Sequence, residues 1–297
     1  MVAATLSREG ASANHGARPS RARRLVALAR ACHPGPVAVV SLTAVGYAAA
    51  VGCTRRNALR VGFAVLSGQL AIGWHNDWTD AERDRRSGRT DKPIPNGEIA
   101  RDVVRTAAVI AGISCVPVSL ANGSRAGLSH LAAVASAIAY NARLKATPAS
   151  FVPYGLSFSL LPIFVHQSRN TATAPPWWAP SAAGTLGVAA HLLNVLPDRD
   201  LDRSTGVLGL PQRLSREEDI ALAGLLLLVS SALVNFGPRG PSLRAGISFV
   251  ASTALVAASV RYASLRHDRT AFRLNLVLAL VDVAGLLVGS RQNPEED

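Results

Sequence analysis

Nine apolar runs of near-membrane length divide this chain, at roughly residues 35–53, 60–77, 103–121, 126–142, 150–166, 178–196, 219–236, 245–262 and 272–290. A helix that crosses the hydrocarbon core of a bilayer needs about 20 mostly apolar residues, so each run is read as a candidate span. Gly, Ser, Thr and Pro interrupt several of them, which is tolerated where helices pack on helices. Nine spans within 297 residues leave no room for a separate soluble domain. The expected fold is an all-α membrane protein, one bundle of about nine transmembrane helices over residues 33–290. A basic, disordered tail with a short interfacial helix (Ser20–Cys32) is expected at 1–32, and a short tail at 291–297. Composition agrees: only 17% of residues are charged, against about a quarter in soluble domains. The net charge of +12 does not indicate a nucleic-acid binder, because the basic residues lie between apolar runs rather than on a soluble, aromatic-bearing face. Cys32, Cys53 and Cys115 are too few and too scattered for a disulfide framework or a zinc site.

Orientation follows from arginine and lysine near the span ends. With the N-terminus in the cytoplasm, 23 of the 31 basic residues fall on the cytoplasmic side. The expectation is a multi-pass protein of the cell (inner) membrane, with the N-terminus inside and the C-terminus outside. Residues 1–30 hold no apolar run ahead of a cleavage site, so a cleaved secretory signal is not expected.

The acidic residues carry the functional signal. The second run leaves the membrane through Asn76, Asp77, Asp80 and Asp84, and the sixth through Asn194, Asp198 and Asp202. Asn76, Asp80, Asp84 and Gly88 match Asn194, Asp198, Asp202 and Gly206 at a constant offset, giving the pattern N-x3-D-x3-D-x3-G twice. A spacing of four places the three oxygen-bearing side chains on one helical face. Two carboxylates on one stripe repel, so something positive must offset that repulsion. Both copies end on the cytoplasmic side, and bundles built from repeats place their sites between the repeats. Facing stripes would make a cage of oxygen ligands for a hard divalent cation, Mg²⁺, which takes one or two carboxylates plus water and phosphate oxygens.

The motif Asn76-Asp77-x-x-Asp80-x-x-x-Asp84, with Asp198-x-x-x-Asp202 on a later span, resembles the UbiA superfamily of intramembrane prenyltransferases. Asp91-Lys92-Pro93-Ile94-Pro95-Asn96-Gly97 resembles the segment after that family's first motif, and Tyr140-Asn141-Ala142-Arg143-Leu144-Lys145 its Tyr/Lys motif. The resemblance covers about residues 33–290. It implies a Mg²⁺-dependent transfer of a prenyl group from an allylic diphosphate to an aromatic or other lipophilic acceptor, within the bilayer and without nucleic acid. It implies metal contacts from Asn76, Asp80, Asp84, Asn194, Asp198 and Asp202, diphosphate contacts from Lys92, Lys145 and Tyr140, and a weaker one from Arg203. Asp77 points about 100° away from Asn76 and is assigned with Lys145 and Tyr140 to catalysis. The competing reading is a membrane terpene cyclase of the same family, which acts on a prenyl diphosphate without an acceptor. A cation transporter is less favoured, because such sites prefer mid-membrane carboxylates and only Asp282 lies deep in a span. His75 and His191 are read as satisfied core histidines, and Trp177-Trp178 as an interfacial anchor.

Overall fold

The computed structural model describes residues 20–169, 174–238 and 240–291. Residues 1–19 and 292–297, where the terminal tails were expected, lie outside them. The described chain is helical: α1 (Arg21–Ala31), α2 (Pro34–Ala50), α3 (Arg55–Arg86), α4 (Arg101–Leu120), α5 (Ser124–Ala142), α6 (Phe151–Gln167), α7 (Trp178–Val195), α8 (Arg199–Ser204), α9 (Leu210–Arg213), α10 (Arg216–Phe236), α11 (Leu243–Ser264) and α12 (Asp268–Arg291). Short 3-10 turns occupy Leu144–Ala146 and Leu196–Asp198. The long helices fall on the apolar runs of the sequence. Among the described residues, five segments are long and apolar enough to cross a membrane: α4, Trp178–Ser204, α10, α11 and Asp268–Leu287. α1 and α2 together pass the same test, bent by 62°. α3 is long enough, but its last three turns carry the acidic motif and three arginines, which dilute its apolar character.

Local chemistry sets the helix ends. Thr54 caps α3 through the Asn57 amide (3.2 Å) and Ser242 caps α11 through that of Ala245 (3.1 Å). At α10, Ser215 and Glu218 cap each other's backbone amides reciprocally, satisfying two otherwise unpaired donors. Helix α3 stops at Gly88 (φ 65°) and α8 at Gly206 (φ 82°), a left-handed backbone that glycine adopts without strain. The residue after each glycine then donates back into the helix, Arg89 to the Asp84 carbonyl (3.0 Å) and Val207 to the Asp202 carbonyl (2.8 Å). The glycine that ends each copy of the sequence repeat is therefore a helix stop that folds the next loop back over the acidic residues.

Sequential helices pack on one another, and α12 returns to α2, closing a ring. Seven long helices (α2, α3, α5, α6, α7, α10 and α12) line a central cavity of about 780 Å³, while α4 and α11 pack outside it. Apolar cores flank the cavity, one around Val61, Val65 and Phe164, the other around Leu192, Leu227 and Leu278. The outer faces of α4 and α11 expose Ile110, Ile113, Ile247 and Val250. Charge is buried inside and apolar surface faces out, the inverse of a water-soluble fold and the arrangement a bilayer requires.

Candidate active site

The two copies of the repeat meet at one end of the cavity. Helix α3 brings Asn76, Asp80 and Arg83 to the wall, and the junction of α7 with α8 brings Asn194, Asp198 and Asp202. The second stripe is not a continuous helix. α7 ends at Val195, Pro197 sits in the 3-10 turn, and α8 starts again at Arg199. Proline supplies no amide for the helical ladder, and the break splays Asp198 toward solvent (38% exposed) while Asp202 stays covered (11%).

One guanidinium joins the copies. Arg83 Nη2 lies 3.0 Å from Asp80 Oδ2, and its Nη1 lies 3.4 Å from Asp202 Oδ1. Lys145, carried by the turn after α5, pairs with the other Asp80 oxygen. Burial pushes the Lys145 ammonium below its ordinary pKa, with Asp80 opposing the shift. Gln212 on α9 donates to Asp202 Oδ2 (2.9 Å). Arg89, on the loop after α3, holds Asp198 (2.8 Å) and Asp91 (2.9 Å) together. The Arg89 hydrogen bonds, outweighing burial, pull the Asp91 carboxyl down to about 2. Asn76 donates to Asp80 (3.3 Å) and to Asn141 (3.2 Å), and Asn141 is anchored on the Ile72 carbonyl.

The positive charge expected to offset the acidic stripe is thus present, and it is distributed by face. Asp77 and Asp84 lie on either side of Lys92, whose Nζ is 2.9 Å from each. Burial works against the Lys92 charge, but the two carboxylates outweigh it and raise its pKa. Lys92 and Asp77 reach the cavity wall, whereas Asp84, 1% exposed, lies behind it. Tyr140 lines the cavity, with its hydroxyl 3.5 Å from His191 Nδ1; His191 Nε2 is 3.0 Å from Ser150 Oγ, and its ring stacks on Tyr154. Tyr154 and Asn194 both line the cavity. Arg203 stands apart from the wall and donates to the Gln212 and Leu214 carbonyls, bracing the segment that carries Gln212. His75 packs edge-on against Trp78.

Among the described residues no three His, Cys, Asp or Glu side chains converge closely enough to hold a metal by themselves. The carboxylates stand paired with cations rather than as a closed cage. That donor set still fits Mg²⁺, which retains water and takes one or two carboxylates plus phosphate oxygens. The sequence reading did not single out Arg83, Arg89, Gln212 or His33. The arginines looked like positive-inside signals, and nothing in the Gly206–Leu214 stretch marked Gln212 as a partner of Asp202.

A model of the UbiA prenyltransferase family matches residues 37–275. The chain belongs to the UbiA prenyltransferase family. Solved structures of UbiA homologs share its fold. The apo homolog from Aeropyrum pernix K1 is 18% identical, with 84% of this chain and 97% of that one covered and a TM-score of 0.70. The homolog from Archaeoglobus fulgidus bound to DMAPP and Mg²⁺ is 15% identical, with 87% and 99% covered and a TM-score of 0.64. A structure described as digeranylgeranylglyceryl phosphate synthase is 15% identical, with 91% and 99% covered and a TM-score of 0.64. No curated protein sequence matches this chain.

Proposed function

We propose that this protein is an integral-membrane, Mg²⁺-dependent prenyltransferase that moves a prenyl group from an allylic diphosphate to an aromatic or other lipophilic acceptor. Residues 33–290 form the catalytic unit. All nine long helices cross the cell (inner) membrane, α1 lies along its surface, and the N-terminus and active site face the cytoplasm with the C-terminus outside. The observation that carries the reading is the single guanidinium shared by Asp80 and Asp202 at the head of an apolar-walled cavity. Acidic groups from two repeats with cations between them suit a diphosphate head, and the walls of Val37, Val65, Leu161 and Leu186 suit a prenyl tail.

In this reading Asp80, Asp198 and Asp202, with the Asn76 and Asn194 amide oxygens, hold the metal. Mg²⁺, when bound, neutralises charge on the departing diphosphate. Lys145 and Lys92 bind diphosphate oxygens, and Tyr140 donates a hydrogen bond to them, aligned by His191. Asp84 keeps Lys92 in place from behind, and Arg203 holds Gln212 against Asp202. As the C–O bond breaks, the apolar walls exclude water from the allylic carbon, and the acceptor attacks from a fixed position. Homologs of the same fold from Archaeoglobus fulgidus are described as bound to DMAPP or GPP with Mg²⁺, which is in keeping with a prenyl diphosphate and Mg²⁺ as ligands here.

The test is binding and turnover by purified protein in detergent. Geranyl, farnesyl and geranylgeranyl diphosphate are supplied with Mg²⁺, first alone and then with phenolic acceptors, with products identified by mass spectrometry. Mg²⁺-dependent binding of a prenyl diphosphate, with diphosphate release only when acceptor is added, is the expected result. A terpene product without acceptor would replace the transferase with a cyclase. Failure of all three diphosphates to bind would remove both.

A further inference from the structure

The bend between α1 and α2 holds a histidine that the motifs do not mention. His33 precedes Pro34 with a left-handed backbone (φ 58°, ψ 67°) and makes no side-chain cap to α2. A residue with a side chain adopts that conformation only where its surroundings impose it. Here α3 imposes it. A Cβ on Gly73 would stand 2.3 Å from the Cys32 carbonyl oxygen, so the bend rests on bare backbone. The Trp74 indole donates to the Leu28 carbonyl (2.9 Å), and Arg30 pairs with Glu98 (2.6 Å), which fixes α1.

One turn beyond Gly73, Asp77 meets the imidazole, with Oδ1 3.1 Å from His33 Nε2. Asp77 is 2% exposed, and the same oxygen lies 2.9 Å from Lys92 Nζ. A carboxylate held by a lysine only accepts, so Nε2 carries the hydrogen and Nδ1 of the neutral ring presents a lone pair. Nδ1 has no partner among the described residues, and the ring is 43% exposed and lines the mouth of the cavity. A buried carboxylate orienting an accessible imidazole is the arrangement by which an enzyme positions a proton acceptor.

We propose that His33 is a catalytic residue that takes up the acceptor's proton, that Asp77 positions it, and that the acceptor carries a hydroxyl, most simply a phenol. This rests on the transferase reading above. The C–O bond of the prenyl diphosphate breaks with its electron pair leaving on diphosphate. The acceptor forms the new bond to that carbon, its proton passes to His33 Nδ1, and the imidazolium returns the proton to water at the cavity mouth.

The test compares binding of 4-propylphenol with that of its methyl ether, 4-propylanisole, which has the same apolar body and no donor. Calorimetric titration of the wild-type protein is expected to favour the phenol by about tenfold, the scale of one hydrogen bond. In His33→Gly, which suits the left-handed backbone, the preference should fall to about one. Asp77→Asn should also reduce it, because an amide can donate to Nε2 and leave the hydrogen on Nδ1. Equal binding of the two probes by the wild type, or an undiminished preference in His33→Gly, would overturn the proposal; should one variant fail to fold, the wild-type comparison and the other variant decide. Geranyl diphosphate binding to the wild type is measured in parallel. Its absence would sink the prenyl-donor reading while leaving the phenol comparison intact, so the two failures are distinguishable.

Discussion

Arg83 offers a test of how charge is balanced at the head of the cavity. Its guanidinium lies within 3.4 Å of two carboxylates from the two repeats, and Asp80 and Asp202 act on each other electrostatically. In Arg83→Gln, Asp80 keeps Lys145, but Asp202 keeps only Gln212. A hydrogen bond to a charged group contributes about 1.5–3 kcal/mol, and exposed ion pairs less. Arg83 is 23% exposed and the contact to Asp202 is long, so the expected loss is about 2 kcal/mol, or roughly 3 °C in melting temperature for a chain of this length. The loss should depend on Mg²⁺, because a metal between the repeats would replace the missing charge and stabilise the folded state by mass action. Thermal unfolding in detergent, in EDTA and at several Mg²⁺ concentrations, reads both effects. The reasoning fails if the variant melts with the wild type in EDTA, or if Mg²⁺ raises both melting temperatures equally.

Asp80→Ala, Asp198→Ala and Lys145→Ala should each reduce prenyl transfer by at least about a hundredfold while still extracting as folded protein; EDTA should stop the wild-type reaction and Mg²⁺ restore it. Full activity in an aspartate variant would remove that residue from metal binding. Gly73→Ala should destabilise by about 1–3 kcal/mol, because its Cβ meets the Cys32 backbone rather than a movable side chain; an unchanged melting curve would mean that the α1–α2 bend is free to shift. The Asp91 carboxyl, held down to about 2 by Arg89, has a folded pKa below its unfolded value. Its contribution is complete above about pH 4 and disappears as pH falls toward 2. An acid titration of stability should therefore show a component in that window that Asp91→Asn lacks.

Some of this was readable along the chain because its physics is local. Apolar length locates the long helices, since a bilayer leaves the backbone no alternative to internal hydrogen bonding. The repeat of Asn, Asp and Gly marks two matching span ends, since a spacing of four shares one face; that its glycines take the left-handed stop is a finding of the fold. The resemblance drawn from those residues leads to the family that the match over residues 37–275 shows. Even there, the second stripe looked like the first, and only the fold shows α7 giving way to a 3-10 turn at Pro197, with Asp198 left more exposed than Asp202.

What tertiary structure decided is which charge meets which. Arg83 and Arg89 were indistinguishable from topology signals until the ring of helices closed and set one against Asp202 and the other against Asp198. Asp84 shares a stripe with Asp80, yet packing turns it behind the wall to Lys92. His33 gains its meaning from Gly73 and Asp77, some 40 residues away in sequence. Periodicity assigns a residue to a face of its own helix. The residue opposite that face depends on how distant segments close together, and that is fixed only when the whole bundle packs.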